Sequence, residues 1–586
     1  MNRFSIVAAA LALLASCSQS DGAVDPITPQ PQPETAENDD GLILPLPKQT
    51  SAEINEADLR QRIAILADDA FEGRAPAAPV GERTADWLAA EMQRVGLVPA
   101  GENGSWFQTV GMVEQTLDEN ASNMTFNGGA SGEPFPVQLR EDAVLWSKKQ
   151  DRNEINWQDS ELVFVGYGVV APEYGWNDYE GLDVEGKTVV MLVNDPGYAR
   201  EDELFNGKAM TYYGLWTYKF EEAGRQGATG AIIVHETAPA SHDWEVVANS
   251  WSGTLADLVR SDGGADRTMF EAWISEETAR ALFADAGLDF TEMKIRAKAE
   301  TFTPIDMGEM TVSGALTQTN STTESRNVVG MLRGNRAPDE YTLFTAHWDH
   351  LGKISGEREG EPPQDFYRDH IFNGAVDNAT GTAAMIEIAE AMANHELERS
   401  ALFLAVTLEE SGLLGSAYYA ENPTVPMNQI VAGLNIDALL PIGRTMDMIV
   451  VGYGASELED LLKEHLDASG RVIVPDPNPE AGYFYRSDHV SFAKKGVPML
   501  YADSGLNARD GGVAYGQAVS ETYRRQRYHK PKDEYSKDWD LAGMVEDVTA
   551  LYVVGMKITQ SDQWPTWYPG NEFEAIRQAS LAERES

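Results

Sequence analysis

Three things are scarce in this 586-residue chain. There is one cysteine, Cys17, and it lies in the first twenty residues. A body without thiols has no disulfide, no cysteine nucleophile and no thiolate metal site. Basic residues are also few: 45 Lys and Arg stand against 93 Asp and Glu, a net charge of −48. That balance excludes phosphate-backbone binding, which needs a basic surface, and basic-patch attachment to anionic lipid. Beyond the N-terminus no run is long and apolar enough to span a bilayer. Serine-elbow Gly-x-Ser-x-Gly and zincin His-Glu-x-x-His signatures are missing too, which removes two large hydrolase classes.

What is present begins with an export signal. Arg3 and the apolar run from Ile6 to Ala15 form a secretion signal over residues 1–17. Leu14-Ala15-Ser16-Cys17 resembles a bacterial lipobox, so a lipid anchor at Cys17 is expected to be the sole membrane link. With Ser18 next, the expected location is periplasmic or on an outer membrane. Residues 18–51, rich in Pro, Gln and acids, read as a flexible linker.

At this length more than one domain is expected. Residues 52–155 open with two helical patterns, "INEADLRQRIAILADDAFEGR" and "GERTADWLAAEMQRVGL". Residues 156–300 change texture to short β-branched runs between Gly-rich turns, such as "ELVFVGYGVVAP", "KTVVMLVND" and "ATGAIIVHE". Residues 301–575 alternate apolar runs with amphipathic ones: "YTLFTA", "ALFLAVTL", "QIVAGLNI", "MIVVGYG", "RVIVP" and "VPMLYAD" as strands, "GTAAMIEIAEAMANHE" and "SELEDLLKEHLDA" as helices. That alternation predicts an α/β fold, a mixed, largely parallel sheet flanked by helices, with a β-rich insertion before it. Residues 576–586 read as a tail.

In open α/β sheets ligands bind beyond the carboxyl ends of the strands. His347 follows "YTLFTA", Glu409 and Glu410 follow "ALFLAVTL", and Asp437 follows "GLNI". Asp377 precedes a turn that opens a helix, and His529 lies in the loop "RRQRYHKPKDEY". This is a set of imidazoles and carboxylates with one carboxylate to spare, able to hold two divalent ions and move a proton.

The set resembles the co-catalytic zinc exopeptidases of family M-28, which includes bacterial leucyl aminopeptidases and aminopeptidase Y. The likeness runs, in the family's order, through "TAHWDHLG", "NGAVDNATGTAAMIEIA", "TLEESGLLGSAYYA", "GLNIDAL", "YRSDHVSFAKKGVPML" and "RYHKPKDE". The 156–300 stretch resembles the protease-associated domain inserted in some peptidases. The resemblance implies two Zn²⁺ ions bridged by Asp377. His347 and Asp437 would complete one, Glu410 and His529 the other, with Glu409 as general base on a bridging hydroxide. It implies an aminopeptidase acting on peptides, with Asp349 orienting His347 through the intact His-x-Asp pattern. Tyr528, next to His529, is a candidate oxyanion donor or a packing residue. Arg486, Ser487, Asp488 and His489 would shape the pocket. His235, His242, His350, His370, His395 and His465 read as exposed or hydrogen-bonded histidines without a role. His370 is the least secure of these, because the loop from Lys353 to Phe372 is placed to fold over the metals. A carboxypeptidase of the same fold, using Arg486 or Arg509 to seize a terminal carboxylate, and a non-catalytic receptor are the alternatives.

Overall fold

The computed structural model describes residues 35–37, 43–200, 202, 204–353 and 370–585. The signal segment and Cys17 lie outside the described residues, as does the centre of the 353–372 loop. Among the described residues no helix is long and apolar enough to cross a membrane.

The fold is α/β: a mixed, largely parallel sheet flanked by helices, with an inserted β-rich body. Four parallel strands form the centre of the main sheet, in the order Arg399–Val406, Ala337–His347, Ile430–Asn435 and Met499–Ser504. Arg399–Val406 and Ile430–Asn435 are buried end to end, and Ala337–His347 is buried from Tyr341 onward, as strands covered on both faces must be. Asp447–Val451 adds antiparallel to Met499–Ser504, and Val472–Pro475 follows it in parallel.

Helices Glu56–Leu66, Glu82–Arg94, Gly381–Met392 and Ala542–Thr559 cover the sheet. They contribute Leu59, Ile63, Trp87, Met385, Ile388 and Leu551 to one core with Phe344 and Phe403. The last two rings stack at 4.8 Å. Residue 43 onward of the stretch expected as linker lies on this core: Leu46 is buried, and the Trp87 indole donates to the Pro45 carbonyl at 2.8 Å. The chain ends in a helix, Glu574–Glu585.

One strand of 28 residues, Ile305–Leu332, belongs to both sheets. Its last residues pair with Arg399–Val406 and its middle with Phe107–Leu117. Its first half pairs with Asn123–Asn127 on one side and Glu154–Phe164 on the other. From Glu154–Phe164 the second sheet continues in parallel through Thr188–Leu192, Gly230–Val234 and Phe270–Ile274. Ala143–Trp146 closes it antiparallel. The β-rich body thus draws on residues 123–146 as well as the 156–300 stretch.

Candidate metal centre

Parallel strands deliver their C-termini to one edge, and that edge collects the site. His347 is the last residue of Ala337–His347. Glu409 and Glu410 follow Arg399–Val406 by three and four residues, and Asp437 follows Ile430–Asn435 by two. Asp377 lies in the turn 375–380 before helix Gly381–Met392, and His529 follows helix Gly512–Gln526. The Asp377–Asn378 peptide is cis.

All the predicted metal-binding residues meet. His347 Nε2 is 3.3 Å from Asp377 Oδ1 and 3.2 Å from Asp437 Oδ1. On the other side, His529 Nε2 is 3.2 Å from Asp377 Oδ2 and 3.1 Å from Glu410 Oε2. Asp377 therefore turns one oxygen to each donor set. Glu409 comes within the same cluster as His347 and Glu410. The adjacent glutamates diverge: Glu409 lines a cavity of about 660 Å³, and Glu410 lines a second of about 550 Å³.

The backbone here is bent into a left-handed conformation at three non-glycine residues, Leu408 (φ 59°), Ala438 (φ 56°) and His529 (φ 53°). Each costs on the order of 1–3 kcal/mol, and such residues persist only where neighbours hold them. The neighbours are identifiable. Asp349 Oδ1 accepts from Glu409 N–H at 3.2 Å, next to Leu408. Asn378 Oδ1 accepts from Ala438 N–H at 3.1 Å, while its amide donates to the Ile436 carbonyl at 3.0 Å. Asn378 so ties the Asp377 turn to the Asp437 loop.

Asp533 ties the same turn to the His529 loop, accepting from Val376 N–H and Asp377 N–H, each at 3.1 Å. Ser487 donates to Asp437 Oδ2 at 2.6 Å and so orients that carboxylate, beyond the pocket-shaping expected of it. Arg74 is fully buried beneath the site. Its guanidinium donates to the carbonyls of Leu66, Trp348, Asn373 and Gly374. It braces the loops that carry the cluster, and its hydrogen bonds go to carbonyls rather than to the carboxylates.

His350 departs from the bland reading: it is buried, and its Nδ1 lies 2.5 Å from Glu410 Oε1. Gly374, at φ 53°, makes room for that ring, since a Cβ there would sit 2.6 Å from it. The spacing His347-x-x-His350 at a strand exit was the available signal. Asp349 reaches His347 chiefly through its backbone carbonyl, 3.1 Å from Nδ1, with its carboxylate at 3.9 Å. Tyr528 is 44% exposed, stacks on the His529 ring at 3.9 Å and lines the larger cavity. His370 is exposed; His235 and His242 lie in the β-rich body.

Electrostatics explain what this cluster requires. Burial lowers the His347 imidazole, but Glu409, Asp437 and Asp377 more than reverse that and hold it well above the usual range. His529 is lowered by burial and raised further by Glu410 and Asp377, to about 10. Burial raises the Asp377 carboxyl, yet hydrogen bonds from His347 and His529 take it well below the ordinary value. Glu410, with His529 and His350 beside it, falls to about 2. Glu409 goes the other way: burial, then Glu410, Asp437 and Asp488, raise it well above the usual carboxylate range. Asp377 is buried and Glu409, Glu410 and Asp437 are partly so, and with imidazoles as their closest partners they form a field that attracts positive charge. Oxygen and imidazole donors suit zinc and related divalent ions. Two triads of donors converge within coordination reach, His347-Asp377-Asp437 and His350-Asp377-Glu410.

Comparison with known proteins agrees with this chemistry. The peptidase family M28 model matches residues 327–553, which contain every residue of the cluster. A "probable zinc metalloprotease" of Pyrenophora teres f. teres (strain 0-1) is 31% identical over 110 residues, 19% of this chain and 22% of that protein. A "probable leucine aminopeptidase 2" of Aspergillus oryzae is 23% identical over 321 residues, 52% of this chain and 55% of the relative. The chain thus spans from about a fifth to about half the length of these curated relatives. Among solved structures, an aminopeptidase from Aneurinibacillus sp. strain AM-1 aligns over 86% of this chain and 94% of its own. Its TM-score is 0.45 and its sequence identity 16%. Residues 327–553, with the whole donor cluster inside them, match the model of peptidase family M28.

Proposed function

We propose that the protein is a two-zinc aminopeptidase, removing N-terminal residues from peptides. The observation that carries this is the shared carboxylate: Asp377 turns one oxygen to His347 and the other to His529, with Asp437 and Glu410 completing the two sets. Two zinc ions held by these residues would supply Lewis acidity and lower the pKa of a bound water.

The chain's own groups do the rest. Glu409 is not needed by either set and faces the larger cavity. It accepts a proton from the attacking water and passes it to the leaving amine, a role worth roughly 10²–10⁴ in rate. Tyr528 sits at the cavity wall and donates its hydroxyl to the developing oxyanion. Asp349, through Glu409 N–H, and Ser487, through Asp437, hold the reacting groups in register. We read the β-rich body as a protease-associated domain and the chain as an exported lipoprotein anchored at Cys17.

The test is a peptide panel offered with free and with acetylated N-termini, the released residue being identified by mass. Release of the first residue, stopped by acetylation and by chelator, is the expected result. Release from the C-terminal end would replace this reading with the carboxypeptidase one.

A further inference from the structure

The larger cavity beside Glu409 and Asp437 has a floor made by two antiparallel strands, Asp447–Val451 and Met499–Ser504. Alternation along a strand sends every second side chain to one face. Here that face carries Ile449 directly across from Asp503 and Val451 directly across from Tyr501. Leu506 adds a further apolar wall. On this strand pair Asp503 is therefore a carboxylate set among Ile449, Val451 and Tyr501, in a cavity whose other walls carry Asp476, Glu521, Gln517 and Ser520.

Asp503 stands out among the acids of this chain. One oxygen accepts from the neighbouring Ser504 N–H at 2.6 Å. Among the described residues it makes no ion pair, and the charges acting most strongly on it are other acids, Asp547, Asp437 and Asp476. Burial and those neighbours push its carboxyl well above the usual range, so the empty cavity holds it unfavourably. The arginines that line the same cavity are engaged at its mouth. Arg524 reaches the Tyr483 hydroxyl at 3.4 Å, and Arg486 lies over the Tyr483 ring at 5.9 Å. Asp476 lies nearer that rim, within the influence of Arg524.

We propose that this cavity is the side-chain pocket for the substrate's N-terminal residue, that it selects lysine or arginine, and that Asp503 is the residue that determines the choice. The methylenes of a long basic side chain pack on Ile449, Val451 and Leu506, and its cationic end reaches the floor. There it makes a charge-assisted hydrogen bond that a leucine side chain cannot make. A glutamate would bring a second anion to Asp503 and is rejected. This rests on the aminopeptidase reading, and it adds a substrate class to it.

The experiment uses the full chain loaded with zinc and four aminoacyl p-nitroanilides, of lysine, arginine, leucine and glutamate. The lysine and arginine substrates are expected to exceed leucine in kcat/KM by about tenfold or more, with glutamate last. Asp503→Asn, nearly the same shape, should remove that advantage, bringing the lysine and arginine kcat/KM down to that of leucine. Asp503→Leu is the second variant and should favour leucine outright. Leucine equal to or better than lysine in the wild type would overturn the proposal. So would an Asp503→Asn variant that slows all four substrates alike. If none of the four is cleaved, the aminopeptidase reading fails and the pocket is decided by calorimetry with L-lysinamide and L-leucinamide. Tighter binding of lysinamide, lost in Asp503→Asn, supports it; equal binding of the two amides overturns it.

Discussion

Helix Gly381–Met392 carries a buried acidic cluster at each of two places, and the two are built on opposite terms. Around its second half, Glu387 and Glu390 join Glu91 in contact with the Arg62 guanidinium, and Arg94 takes Glu91 as well at 2.6 Å. Arg62 and Glu91 are wholly inaccessible. Ahead of its first turn, Asp377 meets Asp437, Glu410 and Glu409, and the groups that answer are the imidazoles of His347, His350 and His529. Arg74 lies close by, but its donors are taken by four backbone carbonyls. At one end the chain supplies the cation itself; at the other it withholds it. Buried carboxylates paired by the chain are architecture, and buried carboxylates the chain declines to pair with a fixed cation are a place for an exchangeable one.

The largest expected effects fall on the unpaired cluster. Glu409→Ala should lower kcat by about 10²–10⁴ while metal analysis still finds close to two ions per chain. Asp437→Ala should lose one ion and keep the other, read by the same analysis and by titration of zinc into metal-free protein. A Glu409→Ala protein with near-wild-type turnover would remove the base from its role and with it the contrast between the two glutamates.

Next comes the paired cluster. Arg62→Met leaves Glu91, Glu387 and Glu390 buried without their shared guanidinium, and removing one partner of such a set costs about 3–5 kcal/mol. The expected result is a clear fall in the denaturant midpoint with zinc stoichiometry unchanged. Zinc should still raise the melting temperature of this variant, because metal bound only by the folded chain stabilises it by mass action. Loss of zinc in Arg62→Met would mean that the two clusters are one system.

The residues readable from the sequence were those whose place follows from local pattern. Apolar runs ending in polar turns marked strand exits, and parallel strands send such exits to one edge, so His347, Asp437 and the glutamate pair could be placed together before any coordinates. What pattern does not carry is contact across the fold. Arg74 reaches carbonyls 274 to 300 residues away, and Asn378 and Asp533 hold turns that lie 60 and 157 residues off. Their side chains are ordinary loop polars until the tertiary structure aims them. The long strand Ile305–Leu332 was hidden for a related reason. Its "TVSGALTQTNSTTES" stretch is polar and half exposed, and its role as a shared edge of two sheets depends on partners from residues 107 to 164. His350 was legible in spacing, but not the burial that turns it on Glu410.

A third kind of buried group sharpens the same contrast by having no charged answer at all. His489 is fully buried between Phe484 and Tyr501, where its ring has no charged partner and only the Phe484 backbone to set against burial. Burial takes its imidazole down to about 3. The unfolded chain binds a proton at His489 near pH 6.5, whereas the folded chain refuses it until about pH 3. Stability from this group is therefore complete above the unfolded value and is lost as pH falls through the window between the two. The slope approaches about 1.4 kcal/mol per pH unit once well below 6.5. His489→Phe removes the proton that unfolding takes up. Denaturant melts of both proteins at pH 7 and pH 5.5 should show the wild type losing about 1 kcal/mol more than the variant between the two. An identical loss in both would mean that His489 accepts a proton in the folded state, and that the interior around Phe484 and Tyr501 admits the charge.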